Sequence, residues 1–315
     1  MAIRLWPWKI EVKMSASAGV TLDRLRVDLQ QYARLAEVPY DSLIVDRVLD
    51  VLAEEWASSA IAVRTTTQPL PERDVNVRLT NAGDPAALLS RLRDAGLVTF
   101  TGHPMEQLLS EVSAAVPAVA AVDVAIGTGI QKVWLIFPEL VSVDRMLAFG
   151  GMPEAARGHE AHLARYGGEF AIMAVDFVSH TMNLYSRILA PGELTAADIT
   201  AILADLDFVA PTEEELSLLG NTFNVYRTFS WTSPRMQRIC FPYRCDAATF
   251  PRHLDPLLDR FVTGAPFPAP GPHGFVFYAA YGQTDRYYKV QAEYAIAPNS
   301  LLPGGTTPHV HRQVD

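Results

Sequence analysis

Five times along this chain, a short run puts polar or basic groups on one parity and apolar groups on the other. The runs are Asn76-Val77-Arg78-Leu79, Lys132-Val133-Trp134-Leu135, Asn183-Leu184-Tyr185, Arg238-Ile239-Cys240-Phe241 and Lys289-Val290-Gln291-Ala292-Glu293. In a strand, successive side chains point to opposite faces. One face then collects Arg78, Lys132, Trp134, Asn183, Tyr185, Arg238, Lys289 and Glu293, and the other collects Val77, Val133, Leu135, Leu184, Ile239 and Val290. Amphipathic helical stretches lie between these runs and need an apolar surface to cover. The combination predicts a closed sheet whose apolar face meets helices and whose polar, aromatic face lines a cavity.

Hydrophobic periodicity predicts helices over 22–36 and 41–58, with Thr21 and Asp41 as N-caps, then strands over 61–67 and 74–79. Helices follow over 85–95 and 105–115, and strands over 118–126 and 131–137. The cycle repeats with helices over 142–148 and 154–166, strands over 169–177 and 181–185, and helices over 196–204 and 212–219. Strands over 223–231 and 235–241, a helix over 254–262 and strands over 275–281 and 286–296 complete it. Consecutive hairpin-connected strands form an antiparallel sheet, and closure removes its exposed edges. The expected fold class is α/β in its α+β form: a ten-stranded antiparallel β-barrel of five α-β-β-α repeats ringed by helices. No Pro- or Ser-rich linker interrupts the repeats, so a single domain is expected over 21–298, with a flexible leader over 1–20 and a flexible tail over 299–315.

Composition narrows the function. The chain is 49% hydrophobic and 19% charged over 315 residues, a globular balance with a sizeable core. Its net charge of -9 argues against general nucleic-acid binding, so basic groups on an inner face call for a local explanation. No apolar run approaches the ~18 residues of a membrane-crossing helix, and residues 1–13 lack the apolar core of a signal peptide. Cys240 and Cys245 match no metal motif and read as reduced thiols of a cytoplasmic protein. There is no GxGxxG, no GxxxxGK[ST] and no Asp-rich DDxxD run. His309 and His311 read as part of a solvated tail, and His103 and His180 as structural or solvent-facing.

Arg78, Lys132, Arg238 and Lys289 come from four different hairpins, and closure would bring them together. Like charges on one inner face repel unless an anion neutralises them. A diphosphate, with about three negative charges, is the natural guest. Asn183, Tyr185 and Tyr226 add hydrogen-bond donors. The competing reading pairs each basic residue with a carboxylate at a barrel rim. The inner parity of these arms offers Glu293, and Asp74 stands at a strand end. Trp134, Tyr185 and Tyr226 share the cationic face, where their rings can hold an apolar chain, stack a flat ring and stabilise a carbocation. A buried Trp is also a common core residue.

The sequence resembles the bacterial branch of the soluble aromatic prenyltransferases, the ABBA or prenyltransferase-barrel family. The resemblance rests on Thr101-Gly102-His103-Pro104, Lys132-Val133-Trp134 with Phe137-Pro138, Ala164-Arg165-Tyr166-Gly167, Asn183-Leu184-Tyr185, Val225-Tyr226, Arg238-Ile239-Cys240-Phe241 and Tyr287-Tyr288-Lys289, in that order over 22–296. It implies that Lys132, Asn183, Tyr226, Arg238 and Lys289 contact a prenyl diphosphate, with Arg78 and Tyr185 beside them. Trp134, Tyr185, Ala171 and Gln291 would form the pocket for the prenyl chain and the aromatic acceptor. Ala171 stands where well-known members carry a larger polar residue that helps hold the acceptor. Magnesium-dependent members carry Asp where this chain has Asn76, and metal-independent ones carry Arg where it has Arg78, so no metal or other cofactor is expected. Glu293, on the Lys289 parity, is the candidate base. The expected reaction is dimethylallyl transfer from dimethylallyl diphosphate to an aromatic acceptor. The resemblance implies a phenazine carboxylic acid or similar fused aromatic acid as acceptor, with dihydroxynaphthalene and hydroxybenzoate types as alternatives. The alternative is a non-catalytic barrel that binds an anionic aromatic metabolite. Expected partners are small-molecule substrates, with no nucleic acid and no membrane, and the protein is expected to be a monomer.

Overall fold

The computed structural model describes residues 21–80 and 82–295. The expected leader, the tail with His309 and His311, and residues 296–298 lie outside the described residues.

Ten strands form the barrel: β1 Ala60–Thr66, β2 Asn76–Thr80, β3 Val119–Ala125, β4 Gly129–Ser142, β5 Glu169–Asp176, β6 Thr181–Ser186, β7 Tyr226–Ser230, β8 Arg238–Asp246, β9 Gly274–Tyr281 and β10 Arg286–Ala295. Neighbours in sequence pair antiparallel throughout, and β1 pairs with β10 to close the sheet. Around it run α1 Leu22–Ala36, α2 Ser42–Val51, α3 Ala53–Ser58, α4 Pro85–Asp94, α5 Pro104–Ala115, α6 Val143–Leu147, α7 Glu154–Gly158, α8 Glu160–Tyr166, α9 Ala196–Ala204, α10 Glu213–Leu219 and α11 Pro256–Gly264. Thr21 and Asp41 cap α1 and α2: the Thr21 hydroxyl accepts from the Arg24 N–H, and Asp41 accepts from Leu43 and Ile44.

The alternation of the arms sorts the core into two parts. Val77, Val133, Leu135, Leu184, Ile239 and Val290 point outward and pack with the helices in one large cluster. Ala121, Trp134, Tyr185, Tyr226, Cys240, Tyr278 and Tyr287 form a separate cluster inside the barrel. Hairpins and longer helical crossovers alternate, so all the hairpin turns lie at one end of the barrel and the crossovers at the other.

Several expectations of length need correction. The helix expected over 41–58 breaks at Leu52 (φ -107°, ψ 23°) into α2 and α3. The one expected over 154–166 breaks after Gly158, at His159, into α7 and α8; Gly is a poor helix former. The strand expected to stop at 241 runs through Pro242 to Asp246. A proline has no N–H to give a ladder, but β7 pairs with β8 only from Arg238 to Cys240, so none is demanded on that side. The chain before Tyr226, expected as strand, instead carries Phe223 and Asn224 over the cavity wall.

Candidate active site

Lys132, Asn183, Arg238 and Lys289 follow closely on their hairpin turns, so the inner parity places them toward the hairpin end. Lys289 is buried, and its Nζ donates to the Tyr226 hydroxyl at 2.7 Å. The same amine lies 5.4 Å from the Tyr287 ring, and the Arg238 guanidinium lies 5.3 Å from it. Burial pushes the Lys289 amine well below its ordinary range; a Cys240 contribution opposes this, while Arg238, Arg64 and Lys132 add to it. Burial also lowers Lys132, with Asp176 opposing. The Nε of Arg64 and of Arg238, the Nε1 of Trp134 and the hydroxyl of Thr228 are buried without a hydrogen-bond partner. Buried polar groups are normally satisfied, so these donors suit an anionic guest.

The cluster is not as free of carboxylates as the alternation suggested. Arg78 is bound in bidentate fashion by Asp123 (2.7 and 3.2 Å), and Arg64 reaches the same carboxylate at 3.0 Å. Lys132 lies 3.6 Å from Asp176. The carboxylate-paired reading therefore holds for Arg78 and Lys132. It fails for Arg238 and Lys289, which have no salt-bridge partner among the described residues. Five cations (Arg64, Arg78, Lys132, Arg238, Lys289) face two carboxylates (Asp123, Asp176), an excess of three positive charges when all are ionised. Burial alone would raise the Asp123 carboxyl, but Arg78 and Arg64 outweigh it and hold it down at about 2.

A layer of rings lies beside this cluster. Trp134 and Tyr185 are 4.8 Å apart, Tyr185 and Tyr226 stack at 4.6 Å, and Tyr278 meets Tyr226 edge-on at 6.5 Å. The Arg78 guanidinium covers Trp134 at 3.7 Å. Beyond the rings opens a cavity. Arg78, Trp134, Tyr185, Tyr226, Gln291 and Glu293 all line it. Gln291 accepts from the Tyr278 hydroxyl at 2.9 Å. Lys132, Asn183, Arg238 and Lys289 do not line this cavity; they flank the ring layer on the hairpin side.

Ala171 needs correction as a pocket residue. It falls in a register shift between Phe170 and Ile172, and Ile172 lines the cavity in its place. A bulge moves the side chains that follow it to the other face, so a position carried over by resemblance can lie off the cavity wall. Glu293 lines the cavity and also holds Arg244, whose Nε lies 3.4 Å from its Oε1. Arg64, Asp123, Asp176 and Tyr278 stand on the first arms of their hairpins, which the alternation of the second arms does not cover, and Arg244 lies past Pro242, beyond the expected end of its strand. Their signal was present: Asp123 is a lone acid in the apolar run Val122-Asp123-Val124, where burial demands a partner. Asn76 donates through Nδ2 to Gln131. Among the described residues, no cluster of three or more His, Cys, Asp or Glu could hold a metal ion. The arrangement can bind a polyanion at one level, hold an apolar chain between rings at the next and admit a flat molecule from the cavity.

A closed antiparallel barrel with helices outside and a cationic, aromatic interior defines the prenyltransferase-barrel class. The 5-dimethylallyl tryptophan synthase of Streptomyces coelicolor, solved in complex with DMASPP and Trp, shares the fold at a TM-score of 0.58 and 16% identity, covering 93% of this chain and 100% of that one. A 6-dimethylallyltryptophan synthase from Micromonospora olivasterospora does so at 0.58 and 15%, covering 89% and 100%. The sequence pattern of the family described as aromatic prenyltransferase Orf2 matches residues 20–305, and the chain belongs to that family of aromatic prenyltransferases. Similar proteins include a furaquinocin biosynthesis prenyltransferase of Streptomyces sp. KO-3988, 28% identical over 84% of this chain and 88% of the relative. A flaviolin linalyltransferase of Streptomyces virginiae is 28% identical over 81% and 86%. A 5,10-dihydrophenazine-1-carboxylate 9-dimethylallyltransferase of Streptomyces anulatus is 25% identical over 88% and 94%.

Proposed function

We propose that the protein transfers a dimethylallyl group from dimethylallyl diphosphate to a fused aromatic acid, such as a phenazine carboxylic acid. Lys132, Arg238 and Lys289, with Asn183 and Tyr226, hold the diphosphate, and Arg64 and Arg78 add positive charge behind it. The allylic C–O bond breaks, and its electron pair leaves with the diphosphate. Fixed cations favour this charge shift without reorganising. Trp134, Tyr185 and Tyr226 shield the allyl cation from water and stabilise it through their ring faces. A ring carbon of the acceptor attacks, forming the new C–C bond. Glu293 takes the displaced ring proton, which restores aromaticity. Prenylated acceptor and diphosphate then leave.

The observation that carries this proposal is the excess of buried positive charge, with orphaned donors, directly against a layer of rings. Protein cations act in place of magnesium: Asn76 is amide-paired to Gln131, and Arg78 occupies the same inner face. We read the protein as a cytoplasmic monomer whose two cysteines, Cys240 and Cys245, are free thiols. Incubation with dimethylallyl diphosphate and a panel of aromatic acids tests the proposal, with mass spectrometry reading a gain of one dimethylallyl group. Tight binding of acids with no such product, from any acceptor, would instead identify a carrier of anionic aromatic metabolites.

A further inference from the structure

Toward the helical end of the cavity, Arg244 is held loosely. Its Nε makes a single long contact with Glu293, 3.4 Å, and its guanidinium carbon sits 4.3 Å over the Phe223 ring. Its Nη1 and Nη2 donors have no protein partner among the described residues, although the residue lines the cavity. A guanidinium is planar and offers paired donors that match a carboxylate edge. With Nε turned to Glu293 and one face resting on Phe223, Nη1 and Nη2 are left for a guest of the cavity that Arg244 lines. The surrounding field favours an anion as well: Arg64 and Arg78 together outweigh Asp123, while Glu293 only balances Arg244.

We propose that Arg244 selects acceptors that carry a carboxylate on the aromatic ring and binds that group through Nη1 and Nη2. The proposal rests on the cavity being the acceptor site. Arg244 then bridges the acceptor carboxylate and Glu293, and so fixes the ring against the group that takes its proton. Arg244 is a specificity and positioning residue; it exchanges no proton itself.

The test uses full-length protein loaded with dimethylallyl thiolodiphosphate and matched probes: phenazine-1-carboxylate with phenazine-1-carboxamide, and 1-naphthoate with 1-naphthamide. Calorimetry should show at least one acid bound roughly 10- to 100-fold more tightly than its amide, the range a charge-assisted pair supplies. Arg244→Gln should bring that ratio to within about twofold, and Arg244→Lys should restore part of it. Affinity for the thiolodiphosphate reports whether each variant keeps its interior. Because Arg244→Gln leaves Glu293 unpaired and repelling, the double variant Arg244→Gln/Glu293→Gln is decisive, and it too should show no acid preference. An acid preference that persists in the double variant, or a parent that binds every amide as well as its acid, overturns the proposal. Prenylation of a neutral dihydroxynaphthalene by such a parent would leave the transfer reaction standing and remove only the role of Arg244.

Discussion

Among the described residues, Arg238 and Lys289 differ from Arg78 and Lys132 in having no carboxylate within ion-pair reach. Replacing any of Lys132, Arg238 or Lys289 with Ala should lower turnover by ~10- to 1000-fold, since each charge-assisted bond contributes roughly 1.5–3 kcal/mol. Stability should separate them. Arg238→Ala relieves repulsion, and Lys289→Ala removes an amine whose charge burial already disfavours, so both should keep the parent melting temperature. Lys132→Ala strips the buried Asp176 of its cation and should cost about 1–3 kcal/mol, read by thermal denaturation. Equal losses across the three would mean that the two kinds of cation are not distinct. Lys289 should also give donor binding a pH dependence. Burial disfavours its charged form, so a bound diphosphate must draw a proton onto it. Affinity for a donor analogue should therefore fall as pH rises, beginning below the ordinary lysine value of 10.5, and Lys289→Arg should flatten the fall. Glu293→Gln keeps size and removes charge. Bound substrates with a rate down ~100- to 10,000-fold are expected, or less if loss of the proton is strongly downhill. A single-turnover rate equal to the parent's would move the base elsewhere.

At the level of elements, Glu215 joins α10 to the last hairpin. It closes the capping box with Thr212, accepts from the Tyr288 hydroxyl at 2.6 Å and meets Arg286 at 3.3 Å, all while fully buried. Glu215→Ala should cost about 3 kcal/mol, because it leaves those donors unsatisfied at once; a loss below about 0.5 kcal/mol in chemical denaturation would contradict this. Strand and helix identity was legible because the two periods, two and 3.6, are distinct over long runs. Lengths were less so. Pro242 reads as a stop until the early end of its neighbour's pairing is known, and the bulge at Ala171 depends on β6 as well as β5. Both are properties of pairs of strands, which a single strand's sequence does not carry. The same holds for Asp123: its burial hint is local, but its partners Arg64 and Arg78 sit on two other strands.

For the whole molecule, the polarity of the arms determined the architecture, since only a closed sheet lets every apolar face meet helices while every cationic arm turns inward. Closure also gives the interior its direction, with cations near the hairpin end, rings between, and Arg244 with Glu293 toward the helical end. The central claim is that protein cations alone hold the donor's diphosphate. It is tested most directly by calorimetric titration of dimethylallyl thiolodiphosphate into the protein with excess chelator. Affinity should stay within about twofold of that with magnesium, a difference of only ~0.4 kcal/mol, and should weaken at least ~10-fold in Arg238→Ala. Binding that vanishes in chelator and returns with magnesium, or that is indifferent to Arg238, would contradict it.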